Sequence, residues 1–477
     1  MQKRSVDAVV IGAGSAGLNA AAELDKAGAN WLLVEADRYG TTCARVGCMP
    51  SKLLVAAADA ADAIERAKVF GIRVQGVHVD GQAIFERVRR ERDRFVAGAI
   101  ADTERFPADR RMLGRARFVG PATVRVDDAL ELDAKTIVIA AGSSPVVPRV
   151  FDPVRDRVLT SDDVFELSGV PASLAVIGTG IIGLELGQAL ERLGADVTFF
   201  DQSAKVGPLT DPALQEHVQA VLRRTMRLEL EVTVKSAEPV NGGIRLTWSG
   251  ADGEERSGEF EHVLVAAGRR PNISGLGLEL TGLALDERGM PSWDPQTTQC
   301  GDAPIFLAGD VNGHAPLLHE AIDEGRIAGE NAARYPDTLR HVRRAPLTIV
   351  FSEPQMAIAG QSYASLDRAR TEIAEVSFET QGRARVMARN VGFARLYATR
   401  DDCIFRGAEL FGPHVEHLAH LLSWSVQQRM TVQRMLRMPF YHPVLEEGLR
   451  AGLRRLARQL RIERGGPCED LAESPGM

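Results

Sequence analysis

Two cysteines that lie close together in the chain, Cys43 and Cys48, offer redox chemistry. They belong to the stretch GTTCARVGCMPSK at residues 40–52. Residues five apart on a regular α-helix are about 8 to 9 Å apart at Cα, whereas a disulfide spans less than about 7 Å. Bridging the pair therefore needs a distorted first helical turn, which Gly47 and Pro50 tolerate. We expect a redox-active disulfide here.

Two other interpretations of the pair are a metal site and a chance core position. A metal site would need two further Cys or His ligands at short spacing, and the neighbouring sequence has none. The remaining cysteines, Cys300, Cys403 and Cys468, are isolated. This cysteine usage predicts a reducing, cytoplasmic compartment, in which a close pair is redox-active or binds metal.

Length and charge limit what the protein is and what it binds. A chain of 477 residues is too long for one hydrophobic core and predicts two to four domains. The net charge of −7 is spread without long blocks of one sign, which argues against a nucleic-acid partner. The N-terminal run VVIGAG is too short and too rich in glycine for a signal sequence or a membrane span. Neither export nor membrane insertion is expected.

The chemistry needs a scaffold, and a glycine loop near the N-terminus indicates one. Gly12, Gly14 and Gly17 follow an apolar strand and open an alanine-rich helix, and Glu35 ends the next strand. In such a unit the first glycine allows a tight turn, the second lets backbone N–H groups approach a pyrophosphate, and the third lets helix and strand pack closely. Glu35 would accept a hydrogen bond from a ribose hydroxyl.

The same pattern recurs in the middle of the chain. Gly178, Gly180 and Gly183 follow a second apolar strand, and Asp201 lies 18 residues after Gly183. A single loop of this kind is weak evidence, but two with the same strand, helix and acidic residue predict two dinucleotide sites. The alternative is a pair of structural glycine turns that bind no ligand.

Three later segments complete the two nucleotide domains. TIVIAAGSSP at 136–145 and HVLVAAGRRPN at 262–272 each predict a buried strand followed by a turn, at Gly142 and Gly268. A third apolar strand precedes Asp310, whose carboxylate would hold a sugar-like chain such as the ribityl arm of a flavin.

With these motifs the chain resembles the pyridine nucleotide-disulfide oxidoreductase family (class I), and within it most closely the dihydrolipoamide dehydrogenases. The matching motifs are GTTCARVGCMPSK, GDVNG and FYHPVLEEG, and the resemblance covers roughly residues 5–460. It implies an α/β protein with two Rossmann-like dinucleotide-binding domains, for FAD and NAD, and a C-terminal α+β dimerisation domain. The expected boundaries are 1–147 (FAD, first part), 148–272 (NAD), 273–345 (FAD, second part), 346–463 (dimerisation) and 464–477 (tail).

The resemblance also assigns roles to the cysteines and to a later histidine. Cys48 would be the sulfur beside the flavin, and Cys43 the interchange sulfur that exchanges with substrate. His442 would be the base, oriented by Glu447, five residues later at the start of an apparent helix. A carboxylate on Nδ1–H would leave Nε2 free to take a thiol proton. In the family this pair reaches the disulfide of the other subunit, which implies an obligate homodimer.

Two further charges, Lys52 and Glu185, belong near the flavin by the same resemblance, where they would form a buried ion pair. The alternative for each is a solvated helix charge. Asp201 would repel a 2′-phosphate and bind a free 2′-hydroxyl, which favours NAD over NADP, with Lys205 as the opposing residue.

The substrate prediction is the oxidation of dihydrolipoamide by NAD+ on the lipoyl domain of a 2-oxoacid dehydrogenase complex. Thr41, Arg45 and Ala141 stand where relatives usually carry Gly, Asn and Thr, which leaves the substrate open. The alternatives are an NAD(P)H-dependent reductase of another disulfide and a non-catalytic flavin-binding redox sensor. No metal is expected.

Overall fold

The computed structural model describes residues 1–462. Its first part is a twisted sheet with helices packed on it, and the chain enters through a βαβ unit. The elements are β1 (Gln2–Ile11), α1 (Ser15–Lys26), β2 (Trp31–Glu35), α2 (Thr42–Arg45), α3 (Cys48–Arg66), α4 (Gly81–Glu104), β3 (Arg111–Leu113), β4 (Ala116–Phe118), β5 (Thr123–Val126) and β6 (Leu130–Ile139).

The strand order of this sheet is β3-β2-β1-β6-β5-β4. The central strand β1 pairs in parallel with both β2 and β6. Helices and loops cover both faces, so Val9 and Val10, which point to opposite sides, are each fully buried. This is why the strand is a continuous apolar run rather than an alternating one.

The middle of the chain forms a second parallel sheet. A three-stranded antiparallel sheet and a two-stranded ribbon belong to the same region. The elements of the region are β7 (Ser143–Pro145), β8 (Val158–Leu159), β9 (Ser173–Ile177), α5 (Ile181–Arg192), β10 (Asp196–Asp201), α6 (Pro212–Leu222), β11 (Arg227–Leu230), β12 (Thr233–Val240), β13 (Gly243–Ser249), β14 (Glu255–Phe260), β15 (His262–Val265) and β16 (Arg269–Pro271).

The parallel order here is β11-β10-β9-β15-β8, and β12-β13-β14 form the antiparallel sheet. The strands β7 and β16, one at the entry and one at the exit of this region, pair with each other in antiparallel fashion. The ribbon therefore joins the two connections between the first sheet and the second.

The chain then returns to the first sheet. β17 (Ile305–Leu307) pairs in parallel with β6, and α7 (Leu318–Arg334) packs on α1. Close approach of the two helices depends on glycine, because a Cβ at Gly325 would lie 2.2 Å from the carbonyl oxygen of Ala16. The sheet order thus agrees with the predicted two-part FAD domain, while the exact residue boundaries stay predictions.

The C-terminal part is an antiparallel sheet with helices on it, in the order β18-β19-β22-β21-β20. Its core contains Leu418 and Leu422 of one helix and Leu449 and Leu453 of another. The elements are β18 (Leu347–Val350), β19 (Gln355–Gly360), β20 (Thr371–Ser377), α8 (Gly382–Val386), β21 (Phe393–Thr399), β22 (Phe405–Gly412), α9 (Val415–Gln427), α10 (Val432–Leu436) and α11 (Glu447–Gln459).

The predicted fold class is confirmed: two parallel α/β sheets, each entered through a glycine loop, are followed by an α+β unit. The predicted tail at 464–477, with Cys468, lies outside the described residues. Within residues 1–462 there is no helix with the length and apolar character needed to cross a membrane.

Candidate functional site

The first glycine loop joins β1 to α1 in a conformation that explains each of its glycines. Gly12 has φ +105°, and a Cβ there would lie 2.4 Å from the carbonyl oxygen of Ala140. A Cβ at Gly17 would lie 1.8 Å from the carbonyl oxygen of Gly12, so the helix packs directly on the loop. Gly14 has no atom within 4 Å of its Cβ position, which leaves room for a ligand beside the backbone.

Glu35 ends β2 beside this loop. Its Oε2 accepts a hydrogen bond from the backbone N–H of Ala13 at 2.8 Å. The carboxylate is therefore fixed at the edge of the loop, as required of a residue that binds the ribose of a dinucleotide.

The second glycine loop repeats this geometry between β9 and α5. Gly178 has φ +104°, a Cβ at Gly183 would lie 2.0 Å from the carbonyl oxygen of Gly178, and Gly180 has open space. Asp201 accepts hydrogen bonds from the backbone N–H of Thr179 at 2.7 Å and from its hydroxyl at 2.9 Å. The loop and its acidic residue thus form one unit.

The helix is broken between the two cysteines, as the distance argument requires. α2 ends at Arg45 and α3 begins at Cys48, with Gly47 between them. A Cβ at Gly47 would lie 3.0 Å from Cα of Cys43, so a larger residue would push the cysteines apart. Thr41 takes a positive φ of +30° and caps α2 by accepting a hydrogen bond from the N–H of Ala44 at 3.3 Å.

The structure shows the pair as two free thiols that hydrogen-bond to each other. This bond from Cys43 and the charge of Lys52 outweigh burial and lower the pKa of Cys48 to about 7. The same bond, together with burial and the charge on Cys48, raises the pKa of Cys43. Cys48 is therefore the sulfur that carries the negative charge near neutral pH, and Cys43 is the proton donor.

Lys52 and Glu185 form the expected ion pair. Lys52 Nζ lies 2.5 Å from Glu185 Oε2 and 4.7 Å from the ring centroid of Phe351. Glu185 is buried, and it also accepts hydrogen bonds from the Ser51 hydroxyl at 3.1 Å and the Phe351 N–H at 3.0 Å. The interpretation of Lys52 and Glu185 as separate solvated charges is wrong, because the carboxylate is enclosed and paired.

Asp310 belongs to a polar cluster that the sequence analysis did not foresee. The Ser143 hydroxyl donates to Asp310 Oδ2 at 2.9 Å, and Arg269 Nε donates to the same Ser143 oxygen at 2.8 Å. Ser143 and Arg269 lie on the ribbon strands β7 and β16, directly after Gly142 and Gly268. In the sequence, this cluster could have been found from the dipeptides Gly142-Ser143 and Gly268-Arg269, each of which follows one of the two similar apolar strands.

The carboxylate of Glu324 fixes the backbone that presents Asp310. Buried Glu324 accepts a hydrogen bond from the N–H of Gly309 at 2.8 Å and from the side-chain amide of Asn312 at 2.7 Å. Arg343 pairs with its other oxygen at 3.0 Å. No sequence motif had marked Glu324, which lies mid-helix in α7.

A cavity of about 300 Å³ brings seven of the predicted site residues together. The glycine loop, the cysteines, the Lys52–Glu185 pair and Asp310 line it from four separate stretches of chain, and the open face of Gly14 points to a ligand with a pyrophosphate. These residues fit an FAD: the open loop at Gly14 would take its pyrophosphate, and Asp310 would hold its sugar chain. The lining includes Gly14, Cys43, Cys48, Lys52, Gly142, Glu185, Arg269 and Asp310.

His442 and Glu447 are paired but lie elsewhere. His442 Nδ1 is 2.9 Å from Glu447 Oε1, and the N–H of Val444 donates to Glu447 Oε2 at 3.1 Å. The His442 side chain is 66% exposed, and neither residue of the pair is among the described residues that line the cavity. The predicted orienting contact is present, and the ring reaches solvent at its other edge.

Comparison with known proteins identifies relatives of the whole described chain. The family model described as pyridine nucleotide-disulphide oxidoreductase matches residues 6–325, and the model of that family's dimerisation domain matches residues 347–451. Dihydrolipoyl dehydrogenase of Chlamydia trachomatis is 30% identical over 452 residues, which is 92% of this chain and 94% of the relative. Dihydrolipoyl dehydrogenase 3 of Pseudomonas aeruginosa is 32% identical over 469 residues, covering 94% and 97%.

Solved structures give the same architecture. LpdA from Mycobacterium tuberculosis superposes with a TM-score of 0.81 at 25% identity, over 94% of this chain and all of that chain. RclA from Escherichia coli, a HOCl-induced flavoprotein disulfide reductase, has a TM-score of 0.79 at 23% identity, over 94% and 99%. The likeness to RclA concerns the fold.

Proposed function

Because the chain belongs to the pyridine nucleotide-disulphide oxidoreductase family, we propose that it oxidises dihydrolipoamide with NAD+ through the cysteine pair Cys43 and Cys48. Membership confirms the coarser predictions: the protein is a flavin-dependent disulfide oxidoreductase, and enzymes of this type use FAD and NAD. The specific substrate, the lipoyl-domain partner, the homodimer, the cytoplasmic location and the roles of individual residues are parts of the proposal.

The observation that carries the proposal is the asymmetry of the thiol pair in the cavity. A lowered pKa at Cys48, beside the Lys52–Glu185 pair, stabilises the thiolate on the sulfur proposed to face the flavin. In the oxidised pair, attack on Cys43 expels Cys48, whose lower pKa makes it the better leaving thiolate, so Cys43 is the sulfur that forms the mixed disulfide with substrate. Bound FAD would supply two-electron transfer between this pair and the nicotinamide.

The protein residues then account for the proton and sulfur steps. His442 of the partner subunit takes the proton from a dihydrolipoamide thiol, and the thiolate attacks Cys43 of the Cys43–Cys48 disulfide, which releases Cys48 as the thiolate. The second substrate thiol displaces Cys43 from the mixed disulfide. Lipoamide leaves, and two electrons and one proton stay on the cysteine pair, with the other proton on His442.

Substrate identity rests on curated relatives named dihydrolipoyl dehydrogenase that align with nearly the whole chain. The test is a steady-state comparison of dihydrolipoamide oxidation with the reduction of glutathione disulfide and other disulfides, each with NAD(H) and NADP(H). We expect the kcat/KM for dihydrolipoamide with NAD+ to exceed every other combination by at least about tenfold. A higher value for another disulfide would replace the proposed substrate and leave the redox pair in place.

A further inference from the structure

Three side chains that bind metal ions in other proteins meet at the first turn of α9, in the C-terminal unit. Single ligand atoms of His414, Glu416 and His417 all lie within 4.8 Å of one another. Glu416 Oε1 is 3.8 Å from His414 Nδ1 and 3.6 Å from His417 Nε2, and the two imidazole rings are nearly parallel at 19°. The carboxylate oxygen therefore lies close to a nitrogen of each ring.

The backbone explains why the two histidines face each other. His414 is the N-cap residue of α9, with the left-handed values φ 48° and ψ 35°, and His417 is the third residue of the helix. Side chains at the N-cap and at the third helical position lie on the same side of a helix start, which is the geometry of a capping box. In a capping box these two positions carry a hydroxyl and a carboxylate, whereas here they carry two imidazole rings.

Glu416 has an unmet requirement for a partner. Its Oε2 is buried and accepts no hydrogen bond from the described residues. Glu416 thus has one buried carboxylate oxygen without a partner among the described residues, which costs free energy unless a cation or a donor satisfies it.

We propose that His414, Glu416 and His417 form a binding site for a divalent transition-metal ion, and that Zn²⁺ fits it. Two imidazole nitrogens and one carboxylate oxygen are a common protein ligand set for zinc, with a fourth position left to water. Ligands about 2.0 to 2.1 Å from an ion are roughly 3.3 Å apart in a tetrahedral site. The pairs at 3.6 and 3.8 Å need to close by only a few tenths of an ångström, and the two histidine nitrogens, which lie within 4.8 Å of each other, by at most about 1.5 Å. The His417 side chain is 71% exposed and can turn to close this distance.

This site is separate from the redox cavity, since its three residues are not among those that line it. The backbone N–H of Glu416 donates to the side chain of Gln355 on β19 at 3.3 Å. This hydrogen bond holds the first turn of α9, and with it the candidate site, against the end of the neighbouring sheet.

The test is zinc binding by the full-length flavin-loaded protein with its cysteine pair oxidised, so that thiolates do not compete for metal. The protein is stripped with a chelator, and Zn²⁺ is titrated in competition with a chromophoric chelator. We expect one ion per chain. Each of the substitutions His414→Ala, Glu416→Gln and His417→Ala should raise the dissociation constant at least about tenfold. His78→Ala is the matched control, because His78 is an exposed histidine outside the ligand set and outside the C-terminal unit, and it should leave the constant unchanged.

A spectroscopic measurement identifies the ligands independently. With Cu²⁺ as the probe, electron paramagnetic resonance should show coupling to two imidazole nitrogens in the starting protein and to one in either histidine variant. Flavin absorbance and thermal unfolding verify that each variant is folded. Binding no tighter than about 100 µM, or affinity lost equally in His78→Ala, would overturn the proposal.

Discussion

At the scale of single residues, one hydrogen bond separates the two cysteines into a thiolate and a thiol. The bond from Cys43 is the largest contribution to the lowered pKa of Cys48, ahead of the charge of Lys52. A hydrogen bond to a charged group is worth about 1.5 kcal/mol, which corresponds to roughly one pKa unit. The donor at position 43 therefore decides whether Cys48 is ionised at neutral pH.

This makes a prediction about pH dependence. In the reduced protein, alkylation of Cys48 by iodoacetamide should rise through a midpoint near pH 7, because a lowered pKa keeps the thiolate present to lower pH. Cys43→Ala removes the donor and should move that midpoint up by about one unit, whereas Cys43→Ser keeps a hydroxyl donor and should move it less. Mass spectrometry assigns the modified cysteine. An unchanged midpoint in Cys43→Ala would show that Lys52 alone sets the pKa.

A second prediction at this scale concerns the nicotinamide. Asp201 is held at the second glycine loop by Thr179, and we propose that its charge would face the adenosine ribose of a bound nicotinamide dinucleotide. We expect kcat/KM with NAD(H) to exceed that with NADP(H) by at least about tenfold, and Asp201→Ala to narrow this ratio. The control is Lys205→Ala, at an exposed cation in the loop that follows β10, which should widen the ratio. A ratio that Asp201→Ala leaves unchanged would place the discrimination at another residue.

At the scale of elements, the glycines of the first βα turn have different tasks. Gly12 and Gly17 are needed for the fold, because backbone atoms crowd them, whereas Gly14 has open space for a ligand. Gly14 has φ −78° and open space, so an alanine methyl fits the polypeptide but would occupy the approach of a pyrophosphate. Gly14→Ala should therefore fold and lose flavin, with absorbance near 450 nm per protein falling at least about tenfold after gel filtration.

The matched control for this substitution is Gly98→Ala. Gly98 is an exposed glycine inside α4 with no atom near its Cβ position, so alanine should raise the free energy of unfolding by about 1 kcal/mol and leave flavin content unchanged. Full flavin content in purified Gly14→Ala protein would contradict the assignment of this loop to the pyrophosphate.

Sequence patterns predicted those parts of the site that depend on neighbours in the chain. The glycine loops and the acidic strand ends follow from local spacing and were found where expected. The contact of His442 with Glu447 follows from the family resemblance and is also present. The Ser143–Arg269 cluster was missed because it arises from pairing of β7 with β16, more than a hundred residues apart. The spacing of residues within a short stretch of sequence does not predict a contact between strands that are so far apart in the chain.

At the scale of the whole molecule, the redox cavity and its proposed base lie in different parts of one chain. The cavity is lined by the two nucleotide-type regions and β18, whereas exposed His442 lies just before α11. The C-terminal unit also exposes Leu421 and Trp424 on one face of α9. Large apolar side chains left in solvent on a unit of this kind favour contact with a second subunit.

The resulting prediction is that His442 acts across the interface of a homodimer. His442→Ala should reduce dihydrolipoamide oxidation by about 10²- to 10⁴-fold, the contribution of a positioned general base, and leave reduction of the flavin by NADH near normal. Cys43→Ser should abolish the oxidation, because it removes the sulfur that exchanges with substrate.

Mixing these two variants distinguishes the two geometries. In a heterodimer, the chain that carries His442→Ala contributes an intact Cys43, and the chain that carries Cys43→Ser contributes an intact His442. If the base acts across the interface, each heterodimer has one complete site. Random reassembly of equal amounts makes half of the dimers heterodimers, so activity should recover to about a quarter of the wild-type value. If the base acted within its own subunit, every site would carry one defect, and tagged heterodimers isolated by affinity would be as inactive as the parents.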